Sequence, residues 1–217
     1  VAATVSQIKG LEEAGCEIIR SAVPDMEAAE ALAAIKKQIS IPLVADIHFH
    51  YQLALEALKS GVDCLRLNPG NIRDRERVQD VVRETKARQV PIRIGVNAGS
   101  LPKDITEGSL AQRMVSAALR EIGFLEGLDF DLIKISLKAF DVPTTVAGYH
   151  LMARHTRYPL HVGITEAGPP PAGSIRSAVG IGILLHQGIG DTIRVSLTSP
   201  PAEEVRAAWE ILKSLNL

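Results

Sequence analysis

Two rhythms of apolar residues alternate along the chain. One has the 3.6-residue spacing of a helix buried on one face. The other is the two-residue alternation or short apolar run of a strand. Helical spacing covers Ala2–Ala14 and ends at Gly15. Glu17–Ala22 reads as a strand, and Asp25 is placed to cap a helix running to about Gln38. The order continues with strand Leu43–His48, a helix from Tyr51 that stops before Gly61, strand Cys64–Asn68, helix Asp74–Arg88 and strand Ile92–Asn97. A long turn, Ala98–Gly108, leads to helix Leu110–Leu125, whose Met114, Val115, Ala118, Leu119, Ile122 and Leu125 share one face. Strand Leu132–Lys138 follows, then a helix capped by Asp141 with Pro143 in its first turn, where proline is tolerated. Strand Leu160–Thr165, helix Ser174–Gln187, strand Thr192–Thr198 and helix Ala202–Leu215 end the pattern.

Strict alternation implies parallel strands joined by right-handed crossovers. A TIM (β/α)8 barrel is favoured over an open doubly wound sheet, because a barrel of ~250 residues wants eight βα units. Eight helices and seven strands, beginning with a helix, leave one strand short. Val1 already stands in a helical pattern with no Met, so the first strand is expected to precede it and the barrel to be incomplete here. No composition shift marks a second domain, so residues 1–217 read as one barrel domain.

The strands themselves change the picture. Buried parallel strands are usually apolar on both faces. These alternate apolar with polar or glycine, as in Ile92-Arg93-Ile94-Gly95-Val96-Asn97 and Ile133-Lys134-Ile135-Ser136-Leu137-Lys138. Leu160-His161-Val162-Gly163-Ile164-Thr165 and Ile193-Arg194-Val195-Ser196-Leu197 repeat the pattern; Ala45-Asp46-Ile47-His48, Leu65-Arg66-Leu67-Asn68 and Ile19-Arg20-Ser21-Ala22 are shorter versions. The apolar set must face the surrounding helices, which leaves the polar set pointing inward. Arg20, Arg66, Arg93, Lys134, Lys138 and Arg194 are permanent cations, whereas Asp46 and Glu166 are the carboxylates in or beside this set.

An unpaired buried charge costs several kcal/mol against the ~5–15 kcal/mol a domain has in hand. The interior is therefore expected to be wet at one end and to hold an anion. Guanidinium groups match phosphate bidentately. Residues late in each strand, such as Asn68, Asn97, Lys138, Thr165 and Ser196, are best placed, because barrel sites lie at the C-terminal strand ends. Lys134 and His161, early in their strands, read as structural fillers.

Charge and cysteine usage narrow the partners. With 24 basic and 25 acidic residues the net charge is −1, which argues against a general nucleic-acid or anionic-membrane surface. No apolar run reaches the ~18 residues of a membrane span, and no signal peptide is visible. Cys16 and Cys64 are far apart and outside any C-x-x-C, which reads as two buried structural thiols in a reducing cytoplasm. Gly180-Ile181-Gly182 sits inside a helical pattern and reads as close helix packing rather than a dinucleotide fingerprint. Ala172-Gly173-Ser174 opens a helix that could meet phosphate or simply be capped by Ser174.

The strand ends carry a resemblance. Val44-Ala45-Asp46-Ile47-His48-Phe49, Arg66-Leu67-Asn68-Pro69-Gly70-Asn71, Arg93-Ile94-Gly95-Val96-Asn97-Ala98-Gly99-Ser100, Lys134-Ile135-Ser136-Leu137-Lys138-Ala139, Thr165-Glu166-Ala167-Gly168 and Gly188-Ile189-Gly190-Asp191-Thr192-Ile193-Arg194-Val195-Ser196-Leu197 closely resemble the 4-hydroxy-3-methylbut-2-enyl diphosphate synthase family. The resemblance implies an oxidoreductase of the non-mevalonate route to isoprenoids and terpenoids. The substrate would be 2-C-methyl-D-erythritol 2,4-cyclodiphosphate, which undergoes reductive ring opening and dehydroxylation. It also implies a 4Fe-4S cluster on a separate C-terminal domain, ferredoxin or flavodoxin as donor, and a homodimer. Transferred to this chain, the diphosphate clamp would be Arg20, His48, Arg66, Arg93, Lys138, Arg194 and Ser196, with Asn68 and Asn97 as further contacts. Asp46, Thr165 and Glu166 would lie near the reacting ring, with Glu166 handling a proton. The chain departs from the family in lacking the cluster domain and first strand, in a shorter turn at Leu101–Ser109, and in Pro169–Pro171. It would therefore carry no cluster and be inactive alone.

Two other readings stay open on the residues alone. One is a non-redox barrel enzyme of dihydropteroate-synthase type. The other is a module that only binds an anion.

Overall fold

A computed structural model describes residues 1–47, 50–67 and 75–217, with Arg75 described by its backbone alone. Among these residues the element order is α1 (Ala2–Glu13), β1 (Ile19–Ala22), α2 (Met26–Lys36), β2 (Leu43–Ile47), α3 (Tyr51–Lys59), β3 (Cys64–Leu67), α4 (Arg75–Arg88) and β4 (Ile92–Asn97). It continues with α5 (Leu110–Glu126), β5 (Ile133–Lys138), α6 (Val142–His155), β6 (His161–Val162), α7 (Ala172–His186), β7 (Thr192–Ile193) and α8 (Pro201–Ser214). The expected alternation is present. The expected caps form as well: the Asp25 carboxylate accepts from the Ala28 N–H (2.8 Å) and the Asp141 carboxylate from the Thr144 N–H (2.7 Å).

The chain forms two compact units, Val1–Ile94 with Glu121–Ile133, and Gly95–Arg120 with Lys134–Leu217. In the first unit β1, β2, β3 and β4 pair in parallel, and the register decides which side chains share a face. Asp46 pairs with Ala22 and with Arg66, and Arg66 pairs with Arg93. Arg20, two residues before Ala22, lies on that same face. The opposite face carries Leu43, Ala45, Ile47, Leu65, Leu67, Ile92 and Ile94, all buried. The polar face was thus readable from the alternation.

The second unit is less regular. β6 pairs with β7 in parallel, and a single bridge joins Ile135 of β5 to Leu160. The expected strands Leu160–Thr165 and Thr192–Thr198 shrink to two-residue ladders, although their alternation is intact. A Cβ on Gly163 would collide with the Arg194 carbonyl, so the two backbones press together there. Beyond it the segments make isolated bonds, such as Ala167 N–H to the Ser196 carbonyl (3.1 Å), in place of a ladder.

Two further expectations change. Helix α7 begins at Ala172, so Ser174 lies inside it and does not cap it; Pro171 is at the cap, with no side-chain capping bond. Cys64 is buried, but Cys16 is only half-buried. Gly180 behaves as expected of close packing, since a Cβ there would run into the Ile164 side chain.

Candidate anion-binding site

In the first unit Asp46 sits between two guanidinium groups. Its Oδ2 accepts from Arg20 Nη1 at 2.7 Å and its Oδ1 from Arg66 Nη1 at 3.0 Å. Both carboxylate oxygens are therefore committed to ion pairs. Arg66 is 3% exposed, and its Nε and Nη2 have no hydrogen-bond partner among the described residues. Arg93 is 6% exposed, and its Nε and Nη2 are in the same condition. Burial, and next the neighbouring Arg20, push the Arg93 guanidinium down to about 10, with Arg66 adding to the fall and Cys64 and Asp46 opposing it. Asp46 forms ion pairs with Arg20 and Arg66, and its charge also acts on Arg93. Buried donors of this kind are normally satisfied, and the unmatched guanidinium edges of Arg66 and Arg93 have the geometry to take an anion.

In the second unit a pocket is lined by Lys138, His161, Thr165 and Arg194, with Ser136 and Tyr149 in its wall. Arg194 Nη2 donates to Ser196 Oγ (3.1 Å), and Ser196 is buried. His161 Nδ1 lies 2.8 Å from Thr192 Oγ1. The imidazole thus packs as a filler does and also faces the pocket. Tyr149 of α6 is fully buried; its hydroxyl accepts from the Leu137 N–H (2.9 Å) and donates toward the carbonyls of Leu137 (3.1 Å) and His161. The phenol takes the place of direct β5–β6 hydrogen bonds and fixes the backbone on either side of the pocket wall.

The remaining expected residues fall as follows. Thr165 is half-buried, and its N–H donates to the Ala139 carbonyl (3.1 Å). Glu166 is exposed and has a positive φ of 52°. Asn97 is half-buried before a 3-10 turn, Ala98–Ser100, with no capping bond from its side chain. Lys134 and Lys138 are half-buried. His48 and Asn68 lie outside the described residues. Sequence reasoning missed Tyr149, which sits at an ordinary apolar helical position, and Thr192.

A 4Fe-4S cluster does not fit this chain. Such a cluster takes four protein ligands, mostly thiolates. The chain has two cysteines, Cys64 buried and Cys16 with its thiol pushed up chiefly by burial. Among the described residues no group of three or more His, Cys, Asp or Glu could hold a metal.

The family model of the GcpE TIM-barrel domain matches residues 1–209. The chain belongs to this family. The GcpE match makes the fold an α/β TIM barrel. A similar curated protein is 4-hydroxy-3-methylbut-2-en-1-yl diphosphate synthase (flavodoxin) from Dehalococcoides mccartyi, 67% identical over 100% of this chain and 63% of that protein. The enzyme of the same name from Geobacter sulfurreducens is 60% identical over 99% of this chain and 62% of that protein. The GcpE chain thus spans less than two thirds of these relatives. Among solved structures it is similar to Yersinia pestis dihydropteroate synthase, with TM-score 0.70 and 12% identity over 100% of this chain and 89% of that one. Brucella melitensis HMG-CoA lyase has TM-score 0.70 and 14% identity, over 99% of this chain and 83% of that one. Likeness at this identity is one of fold and lends no support to a dihydropteroate-synthase activity. Among the described residues no helix is long and apolar enough to cross a membrane.

Proposed function

We propose that this chain is the substrate-binding barrel of a 4-hydroxy-3-methylbut-2-en-1-yl diphosphate synthase. Its ligand is the cyclic diphosphate 2-C-methyl-D-erythritol 2,4-cyclodiphosphate. The observation that carries this reading is the pair of buried, partly unpartnered guanidinium groups of Arg66 and Arg93. Free guanidinium edges suit phosphoryl oxygens, which accept two parallel hydrogen bonds. Substrate-binding residues in the first unit are Arg20, Arg66 and Arg93, joined by His48 and Asn68, which lie outside the described residues. In the second unit they are Asn97, Lys138, Arg194 and Ser196. Asp46, with both oxygens engaged, orients Arg20 and Arg66. Residues 1–217 form one substrate-binding domain, in keeping with a family match that runs through both units.

The reaction consumes two electrons, opens the ring and releases a hydroxyl as water. Loss of that hydroxyl needs a proton, and Glu166 supplies or relays it, with Thr165 beside it. A 4Fe-4S cluster held by protein outside this chain would supply the electrons. Ferredoxin or flavodoxin is the donor, and the word flavodoxin in the relatives' name supports the second. The working protein is a cytoplasmic homodimer.

The test is calorimetric titration of the full-length protein with the cyclodiphosphate. Arg93→Met and Arg66→Met are each expected to weaken binding at least about tenfold, equivalent to ~1.4 kcal/mol. Wild-type affinity in both variants would refute the reading.

A further inference from the structure

Glu166 stands at φ 52°, in the left-handed region that a glutamate adopts rarely. A residue keeps such a conformation only where its surroundings over-determine it. Here the backbone around Glu166 is tied on several sides. Before it, the Thr165 N–H donates to the Ala139 carbonyl (3.1 Å). After it, the Ala167 N–H donates to the Ser196 carbonyl (3.1 Å), and the Gly168 carbonyl accepts from the Thr198 N–H (3.1 Å). These ties come from the segments that follow β5 and β7. One more comes from a helix: Arg176 Nη1 on α7 donates to the Ala167 carbonyl at 2.8 Å. One turn earlier, Gly173 is packed so closely that a Cβ would collide with the Gly168 carbonyl. Ala167 is fully buried, whereas Glu166 and Arg176 are exposed.

We propose that Arg176 is a positioning residue. By holding the Ala167 peptide it keeps Glu166 in the left-handed conformation and fixes the direction in which the carboxylate leaves the backbone. The inference rests on the proton-handling reading of Glu166. The bond is charge-assisted, and the planar guanidinium gives it direction. Without it, a fully buried residue keeps a carbonyl that has lost its donor, and the peptide turns to find another. Glu166 then relaxes toward an ordinary negative φ. Because the Arg176 side chain is exposed, its removal leaves no cavity, and the effect falls on geometry.

A double-mutant cycle in the full-length holoenzyme tests this. Arg176→Met is expected to lower kcat by roughly ten- to a hundredfold, the range for a slightly misplaced catalytic group. KM should stay within about threefold of wild type. Arg176→Lys, a cation without the fork, should recover part of the loss. In a Glu166→Gln background, Arg176→Met should change nothing further. Wild-type kcat in Arg176→Met, or the same loss in both backgrounds, overturns the proposal. Full turnover in Glu166→Gln alone would remove the reading of Glu166, and this inference with it. Should Arg176→Met fail to fold, Arg176→Lys and Arg176→Gln carry the cycle under the same criteria.

Discussion

The two units solve the problem of polar residues on buried strands in different ways. In the first unit the ladders are regular, and the register alone brings Arg20, Asp46, Arg66 and Arg93 to one face. These side chains are mostly dry, and one carboxylate serves several cations. In the second unit β6 and β7 are short, the backbone is tied by single bonds, and Lys138, Thr165 and Arg194 are half-exposed. A preformed clamp for a polyanion benefits from the first arrangement, because its charges need no reorganisation when the ligand arrives. Groups that move protons benefit from the second, where water and substrate reach them. The proton-handling Glu166 would then be separable by mutation from the buried part of the clamp.

Glu166→Gln is the largest expected break in that separation. In the full-length enzyme it should lower turnover by roughly a hundredfold or more, the usual range for a lost general acid. Substrate affinity should stay near wild type, as measured by calorimetry. A matched fall in affinity would place Glu166 in the clamp instead.

Asp46→Asn should strike the other unit. It removes the charge with which Arg20 and Arg66 pair. Breaking a buried pair costs about 3–5 kcal/mol, visible as a lower urea midpoint. Added pyrophosphate should restore part of the loss by occupying the cluster.

Arg93→Met sharpens the comparison in the opposite direction, toward stability. Burial lowers the Arg93 guanidinium to about 10, which implies a destabilisation on the order of 3 kcal/mol while it is charged in the ligand-free fold. The variant should therefore be the more stable protein, by an amount of up to that order. Below pH 10 Arg93 is protonated both folded and unfolded, and the whole penalty is present. As pH rises past about 10 the folded state gives up its proton before the unfolded chain does, and the gap between wild type and Arg93→Met should narrow. Urea unfolding of both proteins across that window checks the sign. A gap that widened would mean that Arg93 is stabilised in the fold.

The smallest expected effect is a control. Asp141→Ala removes the cap of α6 and should cost about 1 kcal/mol, measured by thermal melting, with little change in substrate affinity.

Much of this was legible in the sequence, for identifiable reasons. Element order followed from periodicity and from Asp25 and Asp141 as caps. The buried arginines followed from alternation, because a two-residue period cannot place Ile92, Ile94 and Arg93 on one face. The lengths of β6 and β7 were hidden, since alternation persists where a ladder stops and Gly163 gave no hint that it meets the Arg194 carbonyl. The start of α7 was misread because Ser174 resembles a cap, whereas the helix opens two residues earlier. Asp46 gave no sign of its double pairing, because that depends on cross-strand register. The positive φ of Glu166 and the reach of Arg176 to Ala167 depend on how α7 meets a loop.

The phenol of Tyr149 has one more consequence. Because the Leu137 amide donates to a helix side chain and not to a neighbouring strand, its exchange with solvent deuterium reports on the docking of α6. The Arg66 and Arg93 amides, inside ordinary ladders, keep time with the sheet. If α6 lifts on its own, the Leu137 amide will exchange first, and its clock will run separately from theirs.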